Sequence, residues 1–291
     1  MEIHSNGGSI TLAGARMLYS DAELVGRAGG ASATGGTVTV SSGRFVETGA
    51  AFNTAEANLV VRQGGFLLPQ GFVFEGVGTP LTDVNGQPLA GIGNFNVSTY
   101  SSGGFDSLTL GGNVQFDGNV TVRAPGSLRV ATGGVIYADG RVRLEAGHVH
   151  LGQAFTAPTL PTQQVLLFTR TDSSGATSPY TIAPVFGSGD LKVKANLIDI
   201  GNLSLQGIGG ASFNASKGDV RGNGTLSAAS DLVFKAGQIY PTTGGQFSIF
   251  AYDHVEDGDT VEGSVTINSG SDRALPYSAG GTLGIYASEI T

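Results

Sequence analysis

The feature that most constrains this chain is a run of apolar triplets at nearly constant spacing. Leu108-Thr109-Leu110 is followed by Val114-Gln115-Phe116, Val120-Thr121-Val122, Leu128-Arg129-Val130, Val135-Ile136-Tyr137, Val142-Arg143-Leu144 and Val149-His150-Leu151. In each, two apolar side chains flank a middle residue, which is polar in all but one. On an extended strand the flanking pair points inward and the middle residue points out. Every third triplet recurs after a similar step: 108 to 128, 114 to 135, 120 to 142 and 128 to 149. Three short strands repeated at such a step predict a solenoid whose coils each give one strand to three sheets. Between the triplets lie turn formers, among them Asp117-Gly118-Asn119, Pro125-Gly126, Gly133-Gly134 and Asp139-Gly140.

The pattern returns in Leu191-Lys192-Val193, Ile198-Asp199-Ile200, Leu203-Ser204-Leu205, Phe213, Val220, Leu226 and Leu232-Val233-Phe234. Here the steps run from 191 to 213, 198 to 220 and 203 to 226. Near the two ends, Ile10-Thr11-Leu12, Val38-Thr39-Val40, Val265-Thr266-Ile267 and Leu283-Gly284-Ile285 have the same form. An antiparallel sandwich has longer strands, nearer five or six residues, so triplets this dense argue against it. Helix signals are nearly absent, because Gly, at 48 of 291 residues, interrupts most windows and costs about 1 kcal/mol in a helix interior. The expected fold is all-β, a right-handed parallel β-helix with two extra-helical insertions, the hand following from the rule for parallel crossovers.

Coils are expected over 1–61, 108–151 and 191–291, the last continuing beyond the chain end. Residues 62–107, with Gly71-Phe72-Val73-Phe74 and Asp83-Val84-Asn85-Gly86, break the period and read as an insertion or irregular coils. Residues 152–190, with Pro158, Pro161, Pro179 and Pro184 around Val165-Leu166-Leu167-Phe168, read as a Pro-containing insertion, since Pro is poorly tolerated in a central strand. Both insertions are expected to form hairpins or lids over one face.

Composition narrows function mainly by exclusion. A net charge of −8 argues against a nucleic-acid partner, which calls for a basic face. The absence of Cys removes disulfides and thiolate chemistry. No apolar run approaches the roughly 20 residues of a membrane helix, and Met1–Gly8 lacks the basic and apolar regions of a signal peptide. Strand pattern runs almost to both ends, where a solenoid needs caps, so the chain is expected to be an internal segment of a longer rod.

Two blocks carry a resemblance. Leu110-Gly111-Gly112-Asn113-Val114-Gln115-Phe116-Asp117-Gly118-Asn119-Val120-Thr121-Val122 is one. The other is Gly218-Asp219-Val220-Arg221-Gly222-Asn223-Gly224-Thr225-Leu226 with Asp231 to Thr243, including Ile239-Tyr240-Pro241-Thr242-Thr243. Both resemble the repeat region of filamentous-haemagglutinin family proteins, well over about residues 105–291 and loosely over 1–60. The resemblance implies a segment of a large secreted adhesin at the bacterial cell surface, exported by two-partner secretion through an outer-membrane partner. That partner would recognise a domain this chain lacks. Adhesion or biofilm roles follow, with surface glycans or proteins as ligands.

The rival class is a carbohydrate-active lyase or hydrolase. It needs paired carboxylates or an Asp-rich Ca²⁺ site on neighbouring coils. The outward residues Thr109, Gln115, Thr121, Arg129, Arg143 and His150 include no carboxylate row, so neither enzymatic activity nor a cofactor is expected. A trimeric phage-type tail fibre is the third reading, separable by sedimentation. The densest acidic run offers Asp253, Glu256, Asp257 and Asp259 as oxygen ligands for Ca²⁺, but it fits neither the EF-hand nor the nonapeptide repeat, and a solvated loop is the simpler expectation. His148 and His150 share a strand and a facing, but two His alone rarely hold a metal. Arg123, Arg129, Arg141 and Arg143 form a modest basic cluster that would meet sulfated or sialylated glycans through charge-assisted bonds. Interleaved Asp117, Asp139 and Glu145 equally suit an ordinary mixed-charge surface.

Overall fold

A computed structural model describes residues 4–65, 68, 91–156, 166–271 and 277–291. The protein is all-β, and among the described residues the one helix is the five-residue Val97–Ser101. The expectations placed on Gly71–Phe74, Asp83–Gly86, Pro158, Pro161 and Val165 lie outside the described residues.

The strands pair in parallel, in register, along three ladders. In the first, Ser9–Gly14 pairs Thr37–Ser42, which pairs Ser107–Leu110, followed by 128–130, 149–151, 197–200, 219–222 and 238–241. In the second, the order is Gly93–Asn96, Leu59–Arg62, Val114–Phe116, Val135–Ala138, 203–206, Gly224–Ala228, Gln246–Ala251 and Thr282–Tyr286. In the third, 120–124 is followed by 141–146, 190–194, 210–215, 231–236, Ser264–Ser269 and Glu289–Ile290. The 20-residue strand Leu203–Gly222 contributes to all three in turn, at 203–206, 210–215 and 219–222.

This arrangement follows from the alternation. Leu108, Leu128 and Val149 are register partners, as are Val122 and Leu144. All are buried, and they join residues of the second ladder such as Phe116, Ile136 and Leu226 in a single core. Phe213 and Phe234, also partners, stack inside at 4.9 Å. Polar corner residues tie successive rungs: Gly118 N donates to Asp139 Oδ1 at 2.9 Å, and Arg141 N donates to Asn119 Oδ1 at 2.8 Å. Gly118 and Gly134 take φ of +68° and +101°, the left-handed region that glycine tolerates best.

Several expectations need correction. Val114 pairs with Ile136, not Val135. Val135 and Tyr137 therefore point outward, where Ala55 and Phe168 cover them. That cover comes from a three-stranded antiparallel sheet of Phe52–Asn53, Leu167–Thr171 and Thr177–Thr181, in which Tyr180 donates to Asn53 Oδ1. Leu191 pairs with Ala211, two residues short of Phe213. Within 62–107, residues 93–96 form a strand of the second ladder, stacked out of chain order on Leu59–Arg62. The strand Val185–Lys194 begins inside 152–190 and pairs with Leu203–Gly222 from Val185 onward. Among the described residues no helix is long and apolar enough to cross a membrane.

Candidate functional site

The outward positions of the third ladder carry an unusual concentration of cations. Two columns of register partners run along its flank. One reads Thr121, Arg143, Lys192, Ser212, Val233, Thr266; the other reads Arg123, Glu145, Lys194, Asn214, Lys235, Asn268. Arg141 lies at the edge, paired with Asp190, and Lys217 lies in the corner after 210–215. The inward neighbours Val122, Leu144, Leu191, Val193, Phe213 and Phe234 are buried, and this locks the alternation that turns the cations out.

Five consecutive rungs thus present Arg123, Arg141, Arg143, Lys192, Lys194, Lys217 and Lys235 against Glu145, Asp190 and Asp231. All four lysines of the chain are here. The remainder holds eight cations and twenty carboxylates, so an electropositive strip lies on an acidic molecule. Arg123 Nε pairs with Glu145 Oε2 at 3.0 Å and Lys192 with Asp190 at 3.0 Å, both at exposed positions. Such pairs are weak and exchange readily with an incoming anion. Beside the strip a groove of about 660 Å³ is lined by Arg123, Glu145, Lys194, Asn214, Ser216 and Lys217.

The structure divides the predicted arginine cluster. Arg123, Arg141 and Arg143 share this face; Arg129, the partner of Thr109 and His150, projects from the first ladder. The lysines were missed because they lie 49 or more residues from their arginine neighbours, across the second insertion. The signal that finds them is the alternation itself: Lys192, Lys194 and Lys235 each sit between two buried apolar residues.

A second polar cluster lies on the first ladder. Asp199, its side chain 4% exposed, accepts two bonds from Arg221, Nε to Oδ1 and Nη2 to Oδ2, both 2.8 Å, and meets His148 Nε2 at 2.9 Å. Burial would raise the Asp199 carboxyl, but the hydrogen bonds from His148 and Arg221 outweigh it and hold the group below the usual range. Phe155 lies against His150 at 5.1 Å and under the Arg221 guanidinium at 5.6 Å. His150 Nε2 meets the Gln153 carbonyl at 3.1 Å, and Asn223 Nδ2 donates to Thr156 O at 2.9 Å. Burial lowers the His150 pKa, opposed by the bond to Gln153. This cluster straps the start of the second insertion onto the ladder. It engages both histidines singled out from the sequence.

The acidic run forms an antiparallel hairpin, His254–Glu256 with Asp259–Val261, turning at Asp257 and Gly258, both with positive φ. Asp253 accepts from Gly263 N at 2.9 Å and Ser288 Oγ at 2.7 Å. Asp253, Glu256, Asp257 and Asp259 are strung along this hairpin. Among the described residues no three His, Cys, Asp or Glu are grouped to hold a metal ion. No family model, curated protein or solved structure matches the chain.

Proposed function

We propose that the three ladders form a right-handed parallel β-helix and that the chain is a structural and adhesive rod segment of a large secreted bacterial surface protein, of the filamentous-haemagglutinin kind. Its role is attachment or biofilm cohesion without catalysis. Export runs through an outer-membrane partner that recognises another part of the parent protein. The observation that supports this reading most is the in-register parallel pairing of three ladders around one core. Each rung adds about 4.8 Å of length and buries its inward row only against its neighbours. Such a stack gives reach and repeated outward surface, which is what a surface rod requires. The resemblance of 105–291 to adhesin repeats supplies the secreted setting.

An antibody to this segment, applied to fractionated source cells, tests the reading. A very large product at the surface or in the medium is expected. A cytoplasmic product near 29.4 kDa would sink it.

A further inference from the structure

Resting on the reading that this chain is displayed at a cell surface, we infer that the cationic strip of the third ladder binds a linear acidic polysaccharide bearing a carboxylate on successive sugars, laid along the ladder axis. The geometry is specific on three counts. First, four of five consecutive rungs, from 120–124 to 231–236, turn at least one cation to the same face or its edge, and the remaining rung, 210–215, has Lys217 in the corner that follows it. Rungs recur every 4.7–4.9 Å or so, comparable to the repeat of a pyranose in an extended polysaccharide. A chain with one carboxylate per sugar, laid across the two columns, therefore has a cation within reach on most of its steps.

Second, the neutral polar positions of the two columns on these rungs are Thr121, Ser212 and Asn214, all half-buried and able to hydrogen-bond sugar hydroxyls, while the one carboxylate in the columns, Glu145, is paired with Arg123. Third, Val233 is the one outward apolar residue on these rungs between the corners, among the described residues. Protein partners are usually anchored by aromatic or apolar side chains at the centre of the contact, so the strip fits a hydroxyl-rich polyanion better than a protein surface. The acidic remainder of the molecule repels the polymer elsewhere and confines it to this face. The groove lined by Lys194 and Lys217 gives the polymer a lateral wall.

The test measures binding of the 291-residue chain to polygalacturonate, to neutral dextran, and to oligogalacturonates of increasing length. The paired substitution Lys192→Glu with Lys194→Glu is expected to weaken polygalacturonate binding roughly tenfold or more with an unchanged circular dichroism spectrum. Arg129→Glu, on the other ladder, is expected to leave binding within about twofold. Affinity should rise with oligomer length and level off near five sugars, the number of rungs the strip spans. Dextran should not bind. Absence of polygalacturonate binding would overturn the proposal, and so would equal loss in Arg129→Glu or affinity that climbs with length without levelling. Salt-sensitive self-association abolished by the lysine pair, with no polysaccharide bound, would assign the strip to a second copy instead. Binding that persists in a protein found to be cytoplasmic would sink the surface reading alone; a surface protein that does not bind would sink this one alone.

Discussion

The stretch 190–251 supplies strands to all three ladders and the stretch 9–116 to the first two, from very different sequence. In the former, partners are close and evenly spaced: Asp190 with Gly210, Gly210 with Asp231, Leu226 with Ile249. In the latter, Ser9 pairs with Thr37 and Thr37 with Ser107, while Gly93–Asn96 stacks on one side of Leu59–Arg62 and Val114–Phe116 on the other. Chain order is broken there, yet register is kept. The difference teaches that a rung is placed by what its inward row packs against, not by when the chain arrives. Loop-closure entropy grows only with the logarithm of length, about 0.6 kcal/mol per doubling, so a 70-residue return is little worse than a short one.

That comparison can be strained at several points. The largest effect is expected in the even stretch: Phe234→Ala removes the partner of Phe213, both fully buried, and should cost about 3–5 kcal/mol in denaturant unfolding. Ile10→Ala, half-buried at the far end of the first ladder, should cost markedly less. If the two cost the same, the core is not graded along the stack.

Gly222→Ala comes next. An added Cβ would lie 2.1 Å from a Phe247 ring carbon, and a loss of roughly 1–3 kcal/mol is expected. Gly210→Ala has no atom within 4 Å of its Cβ and should be neutral or slightly stabilising. Equal midpoints for the two would contradict the inward and outward assignment.

The strap at 152–156 joins even to interrupted chain, and its stability should depend on pH. Because burial lowers the folded pKa of His150, stability is complete above the unfolded value of about 6.5 and declines as pH falls below it. The depressed Asp199 adds stability above about pH 3.9 that is lost as pH falls through its folded pKa. Arg221→Met should cost about 1–2 kcal/mol at pH 7, between the values for a surface pair and a fully buried one because the guanidinium is 36% exposed. Unfolding midpoints at pH 8, 5 and 3 would show both limbs. A flat profile would mean that the strap contributes nothing. The smallest destabilisation is expected at the solvated hairpin: Asp257→Ala, at φ +50°, should cost about 1 kcal/mol or less and leave the ladders untouched.

Where one face is buried and the other wet, most of the register is legible in the sequence, Leu191 with Ala211 in place of Phe213 being an exception. Leu108, Leu128 and Val149 are true partners, as are Val120 and Val142, and Ile198 and Val220. The reading slipped at Val135 because both faces of that strand are covered, and a middle Ile136 between Val135 and Tyr137 leaves no polar mark to choose the register. Gly93–Asn96 was missed for a similar reason: all four residues are buried, Asn94 and Asn96 included, so alternation is absent. Three of the seven cations of the basic face, Arg123, Arg141 and Arg143, were legible. Its lysines became neighbours only through long-range stacking.

The most direct test of the stacked-ladder account uses the lack of cysteine in the natural chain. Thr39→Cys and Thr109→Cys would place two outward thiols on register partners 70 residues apart, at a separation of adjacent strands that a disulfide spans. On mild oxidation the account predicts an intramolecular crosslink in high yield, seen as faster migration without reductant, and none when Thr39 is paired with Gln115→Cys on another ladder. Failure of the first pair to crosslink in folded protein, or equal crosslinking of the second, would contradict it.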